Sequence, residues 1–421
     1  MVYVLNREGT PLMPTTRYGR VRRLLRKGLA VVVDYRPFTI QLTYDTPNGV
    51  QEVSLGVDAG TKHVGLSATT KKKVLFEAEL LLRPDIVEKL STRREFRRAR
   101  RNRKTRYRKS RFLNRTGSKK PGWLAPSVRQ KVDTHIYWIL RICNFLPIKK
   151  ITVETAQFDT QLLKAREQGL PFPQGTDYQK GEQLGFCNVR EYVLCRDGHK
   201  CQCCKGKSKD SKLHVHHIES RKTGGDAPNN LITLCSECHA KYHRGEIKLP
   251  KNVSRGASLK DAAVMGIMRK SVFGQLDKLF GDAVPCHETY GYITKYARTK
   301  AGLPKDHTID ARCISGNTGA ESDGHYWIIR KLRANNRQLH KASILKGCIR
   351  KNNQAPREVH GYRLMDYVVY AERPCFVNGR RQSGYFSLSD ISGHVLAGSV
   401  NYKHLNLINH NNTNIMETRE L

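Results

Sequence analysis

Hydrophobic and polar positions alternate through two short stretches near residue 60, with a glycine-containing turn between them. Apolar residues occupy every second position from Val53 to Val57 and again from Val64 to Ala68, which is the period of β-strands. The pattern predicts a hairpin that places Asp58 at the end of its first strand. A further apolar stretch, Ile151 to Val153, predicts another strand that ends in Glu154.

Helical spacing follows around these strands. Apolar residues three or four apart from Lys131 to Leu146 predict an amphipathic helix that packs on the strand ending in Glu154. His307 and Asp310 are three residues apart and would share one face of a helix. We expect Asp58, Glu154 and Asp310 to meet in space and hold two Mg²⁺ ions, the arrangement that drives in-line phosphodiester hydrolysis.

Each carboxylate alone could instead be a solvated surface charge. Their joint order, on strand, strand and helix, resembles an RNase H-like, or RuvC-like, nuclease core that is split along the chain. We therefore expect a multidomain α/β protein.

The first 50 residues predict a small α/β unit. Its elements are a strand at Val2 to Leu5, the turn Gly9 to Pro14, a basic helix from Arg17 to Lys27 that ends at Gly28, and strands at Leu29 to Val33 and Phe38 to Tyr44.

Residues 84–116 predict one long basic helix, because no Gly or Pro lies between Pro84 and Gly117. The candidate nucleic-acid-binding side chains are Arg93, Arg94, Arg97, Arg98, Arg100, Arg101, Arg103, Arg106, Arg108 and Arg111. Glu95 is the sole acidic residue among them, so self-repulsion would oppose the isolated helix. We interpret it as a helix that lies along an RNA or RNA–DNA backbone; the alternative is a disordered basic linker.

The most specific metal-binding pattern lies in residues 181–250. Cys201-x-x-Cys204 and Cys235-x-x-Cys238 predict a closed, structural Cys₄ zinc site. Cys203 could substitute for a neighbour. Cysteines grouped among histidines favour metal binding in a reducing compartment over a disulfide framework.

Histidines between and after these pairs predict a second, catalytic cation. His239 and His243 are four apart and would share a helical face, from which they could bind the cation together with His216. His217 is expected to be the general base that activates water, and Asn230 to hold the loop of that base in shape. The alternative is a zinc ribbon that only binds nucleic acid.

The stretch from Leu213 to His239 resembles the HNH (ββα-metal) nuclease family throughout. His214, which lies within it, is expected to be a satisfied loop residue or an extra zinc ligand.

Charge indicates the partner. The 421 residues include 75 Lys and Arg against 37 Asp and Glu, a formal net charge of +38, which favours nucleic acid. An anionic membrane is the competing target, but the sequence shows no apolar run near 18 residues, no signal peptide and no lipidation motif. We expect a cytoplasmic, bacterial protein.

A RuvC-like core in three pieces, an arginine-rich helix after the first and an HNH module between the second and third resemble the IscB family. Members are transposon-encoded, RNA-guided DNA nucleases related to the type II CRISPR effectors. The turn Pro11-Leu12-Met13-Pro14 matches the family's amino-terminal PLMP domain, and the resemblance covers residues 1–320. It implies a PLMP-like domain (1–50), RuvC-I (51–83), the bridge helix (84–116), RuvC-II (117–180), HNH (181–250), RuvC-III (251–320) and a C-terminal domain (321–421).

Carried over residue by residue, the resemblance assigns Asp58, Glu154, His307 and Asp310 to the RuvC site, with His307 as base or proton shuttle. It assigns His216, His217 and Asn230 to the HNH site. Whether His239 or His243 completes that metal shell stays open.

The resemblance also implies a guide RNA and a target DNA as partners of a monomeric protein in a ribonucleoprotein. HNH would cut the guide-paired strand and RuvC the displaced strand, with Mg²⁺ at both sites and structural Zn²⁺. Protein would read a short motif beside the target. Two alternatives are an HNH endonuclease that recognises DNA by protein contacts alone and a non-catalytic transposon-associated protein that binds nucleic acid.

The last hundred residues predict a β-rich domain. Tyr362 to Tyr370 and Gly384 to Leu388 are strand-like, Asn378-Gly379 predicts a hairpin turn, and the polar tail from Asn406 to Leu421 is expected to fray. Binding of the guide scaffold and of the target-adjacent motif suits this domain, although an ordinary surface would have the same composition.

Overall fold

The computed structural model describes residues 1–47, 49–101, 120, 122–155, 165–166, 169, 171–172, 186, 188–220, 226–250, 260–333, 356–411 and 413–420. The chain forms two compact units. Unit 1 comprises Met1–Tyr107, Pro126–Phe158 and Met268–Leu421, and unit 2 comprises Arg108–Ala125 and Asp159–Ile267. Among the helices of the described residues, none combines the length and the apolar character needed to cross a membrane.

The strands in these ranges are β1 Tyr3–Leu5, β2 Ala30–Tyr35, β3 Phe38–Leu42, β4 Val53–Asp58, β5 His63–Thr69, β6 Val74–Leu81, β7 Ile148–Thr155, β8 Leu213–His217, β9 Leu231–Cys235, β10 Cys286–Tyr290, β11 His325–Lys331, β12 Tyr367–Tyr370, β13 Arg373–Arg380, β14 Tyr385–Ser389, β15 Val395–Asn401, β16 Asn406–Asn409 and β17 Asn414–Glu420. The helices are α1 Tyr18–Arg26, α2 Ile86–Arg101, α3 Pro126–Cys143, α4 Val189–Arg196, α5 Ser236–His243, α6 Lys260–Phe280, α7 Gly291–Lys300 and α8 His307–Ile314, with short 3₁₀ turns at Pro228–Asn230 and Tyr402–His404.

A seven-stranded sheet, in the order β10-β7-β4-β5-β6-β11-β17, forms the centre of unit 1. Strands β4, β5 and β6 are antiparallel neighbours, whereas β7 runs parallel to β4 and β10 runs parallel to β7. Almost every residue of β4 and β5 is buried, because both faces of these central strands are covered. The predicted hairpin and the strand ending in Glu154 are thereby confirmed.

Two smaller sheets complete unit 1. The amino-terminal residues form a three-stranded sheet, β1-β3-β2, with α1 on it, and the hydroxyl of Tyr3 donates a hydrogen bond of 2.8 Å to the carbonyl of Leu75 in the central sheet. The rings of Tyr3, Phe76 and Phe145 pack edge to face. The second small sheet is antiparallel, in the order β15-β14-β13-β12-β16, around a core that includes Phe386.

Two expectations for the carboxyl-terminal residues are wrong. Asn378 and Gly379 lie inside β13, at an irregularity in its pairing with β14, and not in a hairpin turn. The chain reverses instead at Ala371 and Glu372, which both have positive φ, as a tight hairpin requires. The tail does not fray, because β17 pairs along its whole length with β11 at the edge of the central sheet.

Unit 2 is described mainly at residues 188–220, 226–250 and 260–267, with few residues before them. Its two-stranded sheet, β8-β9, is antiparallel, and α4 and α5 pack on it. The core of this small unit is formed by cysteines together with Ile232 and Leu234.

Of the predicted arginine-rich helix, the structure describes α2 as far as Arg101, and the residues from 102 to 119 lie outside the described ranges. Its first turn is held by Asp85, which accepts hydrogen bonds from Arg83 and Lys89. The side chains of Arg93, Arg94 and Arg97 are exposed. The predicted positions of Arg103, Arg106, Arg108 and Arg111, and the side chains of Arg98, Arg100 and Arg101, lie outside what the structure describes.

Candidate active sites and metal centres

Asp58 and Glu154 lie next to each other at the ends of two adjacent strands. Asp58 is the last residue of β4, and its register partner in the parallel strand β7 is Glu154. Because side chains in matched positions of neighbouring strands point to the same side of a sheet, the two carboxylates lie side by side. The predicted proximity of these two residues therefore follows from strand register.

Helix α8 brings the next two residues onto this end of the sheet. It packs on β4 and β5, and the approach depends on two glycines. A Cβ added at Gly56 would collide with the carbonyl of Ala311, and one added at Gly65 would collide with the carbonyl of His307. Glycine at these positions lets the helix backbone come close enough for its first turn to reach Asp58.

His307 and Asp310 both lie in that first turn of α8. His307 Nδ1 lies 2.6 Å from Asp58 Oδ2, a distance at which the ring N–H donates to the carboxylate. This hydrogen bond raises the pKa of His307. The prediction that His307 and Asp310 share one helical face beside Asp58 is confirmed.

A buried ion pair fixes the same helix to the sheet. Arg312 donates from Nε to one oxygen of Glu77 at 2.7 Å and from Nη2 to the other at 2.9 Å. The Glu77 side chain is fully buried and that of Arg312 is 8% exposed. The remaining acceptor capacity of Glu77 is used by the hydroxyls of Ser67 and Ser322.

Helix α7 supplies partners for two of the carboxylates. The hydroxyl of Thr294 donates to Glu154 Oε2, and Arg298 Nη1 lies 2.5 Å from Asp310 Oδ1. Gly291 lies close to Glu154 as well, since a Cβ added there would be 3.0 Å from Glu154 Oε1. The sequence analysis did not identify Thr294 or Arg298.

The electrostatic state of this group reflects burial and like charge. Burial raises the pKa of Glu154 to about 7; the charges of Asp58 and Asp310 act in the same direction, and the hydrogen bond from Thr294 opposes them. Burial also raises the pKa of Asp310, against the effect of Arg298. Added positive charge would therefore stabilise the ionised carboxylates.

Asp58, Glu154, Asp310 and His307, here called the carboxylate site, have donor chemistry that fits a hard divalent cation. Among the described residues, however, the three carboxylates do not bring one oxygen each within 4.8 Å of the other two. The reason is local, because each already has a partner: His307, Thr294 and Arg298 respectively. The carboxylates interact through their charge without forming the compact cluster that was expected.

A neighbouring group could also hold a metal ion. His63, Glu79 and His307 place one ligand atom each within 4.8 Å of one another. His63 Nδ1 lies 2.7 Å from Glu79 Oε1, and its ring stacks on that of His307 with centroids 5.4 Å apart and planes 6° apart. His63 and Glu79 were not singled out from the sequence.

In unit 2, the four predicted cysteines come together. Cys201, Cys204, Cys235 and Cys238 place their sulfurs within 4.8 Å of one another, and three of the four are buried. The hydroxyl of Ser208 lies 3.3 Å from Cys204 Sγ, and this hydrogen bond lowers the pKa of Cys204 to about 6. The donor set fits a soft or borderline metal ion.

Three histidines form a second group in the same unit. His216, near the end of β8, and His239 and His243, on α5, bring one ring nitrogen each within 4.8 Å of the others. His216 Nε2 is buried and has no hydrogen-bond partner within the described part of the chain, as expected for a nitrogen that serves as a metal ligand. Burial lowers the pKa of His216 to about 4, with the charges of His239 and His243 acting in the same direction, so this ring is neutral, the form that binds metal.

His217 and Asn230 lie beside this group, on the strand end and the turn that follow it. His217 Nε2 lies 3.0 Å from Asp226 Oδ1, an orienting partner that the sequence analysis missed. Asn230 is fully buried. Its side chain accepts a hydrogen bond from the amide of Glu219 at 2.8 Å and donates one to the carbonyl of Glu219 at 3.0 Å, which fixes the chain just after His217.

His214 Nε2 lies 3.1 Å from Ser236 Oγ, which agrees with the expectation that its hydrogen-bonding capacity is satisfied.

The histidine site is the name used here for five residues of unit 2: His216, His217, Asn230, His239 and His243.

Comparison with known proteins identifies the class. Residues 2–181 match the family model described as RRXRR protein, and residues 201–245 match the model described as HNH endonuclease. These matches define a protein that carries an RRXRR segment followed by an HNH endonuclease domain. The two matches support the resemblance to an IscB/Cas9-like protein that was stated from the sequence.

Individual relatives match parts of the chain. Anaredoxin from Nostoc sp. (strain PCC 7120 / SAG 25.82 / UTEX 2576) is 39% identical over 62 residues, which are 14% of this chain and 79% of that protein. The crystal structure of Streptococcus thermophilus Cas9 in complex with the AGAA PAM has 13% identity and a TM-score of 0.28, over 47% of this chain and 26% of that one. The Type II-C Cas9 enzyme from Actinomyces naeslundii has 11% identity and a TM-score of 0.25, over 63% and 60%. The chain thus spans about a quarter of the length of the S. thermophilus enzyme.

Proposed function

We propose that this protein is an RNA-guided DNA endonuclease that makes a double-strand break with two independent sites. The histidine site would cut the guide-paired strand, and the carboxylate site, as the active centre of a RuvC-like core, would cut the displaced strand. The observation that carries the proposal is the presence of a candidate nuclease site in each of two separate compact units.

Asp58, Glu154 and Asp310 would hold Mg²⁺ in the carboxylate site. Bound there, Mg²⁺ would neutralise developing charge on the phosphate and lower the pKa of an attacking water. Of the chain's own groups, His307 donates through Nδ1 to Asp58, which leaves Nε2 to accept or pass on a proton. Arg298 and Thr294 orient two of the carboxylates.

In the histidine site, His216 with His239 and His243 would hold the catalytic cation, proposed as Mg²⁺. Three imidazole nitrogens suit a transition metal ion better than Mg²⁺, which prefers oxygen ligands. A cation bound there would supply Lewis-acid stabilisation of the leaving oxygen. With its Nε2–H donated to Asp226, His217 keeps Nδ1 free of a proton and able to accept one from water. Asn230 would hold the loop behind this base. Zn²⁺ in the four-cysteine group would stabilise unit 2, whose core is built largely from those cysteines.

Guidance by RNA is supported by charge and by the family resemblance. The chain has a net charge of +38, and the exposed arginines of α2 offer contacts to a nucleic-acid backbone. Recognition of a target-adjacent motif and of the guide scaffold is proposed for the carboxyl-terminal strands, and a monomeric protein is proposed for the complex.

A strand-resolved cleavage assay tests the proposal. On a duplex labelled differently on each strand, Asp58→Ala should still nick the guide-paired strand, and His217→Ala should still nick the other. His404→Ala is the matched control for His217, since His404 is exposed on the 3₁₀ turn Tyr402–His404 in unit 1 and lies outside the proposed chemistry. If either single active-site change abolishes both cuts in a folded protein, the sites are not independent.

RNA guidance is tested separately. Protein expressed from its native locus should co-purify with a discrete RNA, and ribonuclease should abolish cleavage. Cleavage that survives complete ribonuclease digestion would instead support an HNH endonuclease that recognises DNA by protein contacts alone.

A further inference from the structure

The helix that contacts two carboxylates of the carboxylate site also carries an exposed aromatic surface. On α7, Tyr292 is 58% exposed and Tyr296 is 68% exposed. The ring of Tyr290, just before the helix, stacks on that of Tyr292 with centroids 6.2 Å apart and planes 8° apart. Exposed apolar groups that cluster in this way, unlike scattered single ones, indicate a binding surface.

The two sides of α7 have different surroundings. Tyr292 and Tyr296 are four residues apart and share one face. Thr294, halfway between them, projects to the opposite side, where it is buried and donates to Glu154. Since Thr294 and Arg298 tie the helix to Glu154 and Asp310, the two exposed rings are held at a fixed position relative to the carboxylates.

Positive charge on the same helix indicates that the ligand of this aromatic surface is a polyanion. The helix contains no acidic residue, and its two lysines, Lys295 and Lys300, are exposed, whereas Arg298 is paired with Asp310. Aromatic rings next to cationic side chains are the combination that binds single-stranded nucleic acid, because every base can stack on a ring while the backbone phosphates are neutralised.

Spacing indicates an unpaired strand in place of a duplex. Four residues of α-helix advance by about 6 Å along its axis, nearly twice the spacing of about 3.4 Å between nucleotides of one duplex strand. Bases that stack on both rings must therefore separate from each other, which base pairing prevents. A folded polypeptide partner would need apolar pockets for the rings but would gain nothing from the nearby carboxylate site.

We propose that Tyr292 and Tyr296 form a stacking platform for unpaired bases of the DNA strand that is cut at the carboxylate site. This inference rests on the proposed function, since it names how that site would hold its substrate strand. The two tyrosines are positioning residues, and the reacting phosphate would lie on the Glu154 side of the helix.

The binding test uses the full chain in an Asp58→Ala background and a short single-stranded DNA that contains 2-aminopurine, whose fluorescence falls when it stacks. Replacing either tyrosine by alanine should weaken binding by about five- to 150-fold and restore the fluorescence. Tyr292→Phe and Tyr296→Phe should retain both signals, since the ring remains. Tyr35→Ala is the matched control, because Tyr35 is 60% exposed on β2 in the amino-terminal sheet.

The cleavage test uses the strand-resolved assay with Asp58 intact. Tyr292→Ala/Tyr296→Ala should slow the cut that depends on Asp58 and leave the cut that depends on His217 at its normal rate. Unchanged aminopurine quenching and affinity in the double alanine variant would overturn the platform. If Asp58→Ala removes neither cut, the proposed function fails, and the binding test still decides the platform on its own.

Discussion

The buried pair of Arg312 and Glu77 gives the sharpest test of how the carboxylate site is held. Arg312→Met keeps a side chain of similar length but leaves the Glu77 carboxylate fully buried, with only the hydroxyls of Ser67 and Ser322 as donors. Two charge-assisted hydrogen bonds are lost, each of about 1.5–3 kcal/mol. Removing one partner of a buried ion pair costs about 3–5 kcal/mol in proteins, so both routes lead to the same range.

The assay follows unfolding of unit 1 by denaturant. Trp138 is fully buried in this unit, and in a background with Trp123→Phe and Trp327→Phe its emission would report this unit alone. We expect Arg312→Met to lower the free energy of unfolding by about 3–5 kcal/mol. The Asp58-dependent cut should fall as well, because α8 carries His307 and Asp310.

A second substitution separates lost packing from an unpaired charge. Glu77→Gln in the Arg312→Met background removes the buried charge: its amide oxygen accepts from one of the two serine hydroxyls, and its NH2 group donates to the hydroxyl oxygen of the other. The free energy of unfolding of the double variant should exceed the value expected from adding the two single effects by about 2 kcal/mol or more, which is within the range of coupling seen for contacting residues. A cost below about 1 kcal/mol for Arg312→Met, or strict additivity in the double variant, would refute this account.

Three further predictions follow from single positions. Gly65→Ala should displace α8 and abolish the Asp58-dependent cut while leaving the other cut intact. The control variant Gly274→Ala, whose added Cβ meets no atom within 4 Å, should cut both strands normally. Equal activity of the two variants would contradict the close approach of α8 to β5. Cys238→Ser should lose about one equivalent of zinc by elemental analysis and the thermal transition of unit 2 by calorimetry. Cys203 lies outside the four-sulfur group, so Cys203→Ser should keep both the zinc and the transition. Burial lowers the pKa of His135 to about 4. The free energy of unfolding of unit 1 should therefore reach its highest value above the unfolded pKa of about 6.5 and fall by roughly 2 kcal/mol by pH 5, because the unfolded chain binds the proton more tightly. His135→Phe should remove this pH dependence in denaturant titrations, and an unchanged dependence on pH would argue against the prediction.

Periodicity was sufficient to find the strands of the carboxylate site. The alternation around Asp58 and the apolar run before Glu154 reflect a sheet buried on both faces, and burial leaves a strong signal in sequence. Motif spacing was sufficient for the cysteine and histidine groups of unit 2, because ligands four apart on one helix, or in Cys-x-x-Cys pairs, are already close before tertiary folding.

Other features could not be predicted, because their local sequence signal is misleading or absent. Asn378-Gly379 is a strong hairpin sequence, yet the pairing of β13 with β14 continues through it, so long-range hydrogen bonding outweighs the turn preference. The tail appears as a loop from its composition because β17 is an edge strand that buries little beyond Ile415 and Met416. An edge strand needs only its partner's hydrogen bonds, and that partner, β11, is distant in sequence.

The hydrogen-bond partners of the carboxylates were the least predictable from sequence, and they also set the electrostatic state of that candidate site. Arg298 precedes Asp310 by twelve residues and Thr294 is 140 residues from Glu154, so no spacing rule connects either pair. Yet these contacts turn three mutually repelling carboxylates into a group in which each has a donor. A cation that enters must compete with Arg298 and His307 for carboxylate oxygens. Arg298 and Thr294 offset only part of the effect of burial, which raises the pKa of Glu154 and that of Asp310, so a bound cation would complete the stabilisation of the ionised site. Helix α7 couples these two donors to the surface proposed to hold the strand.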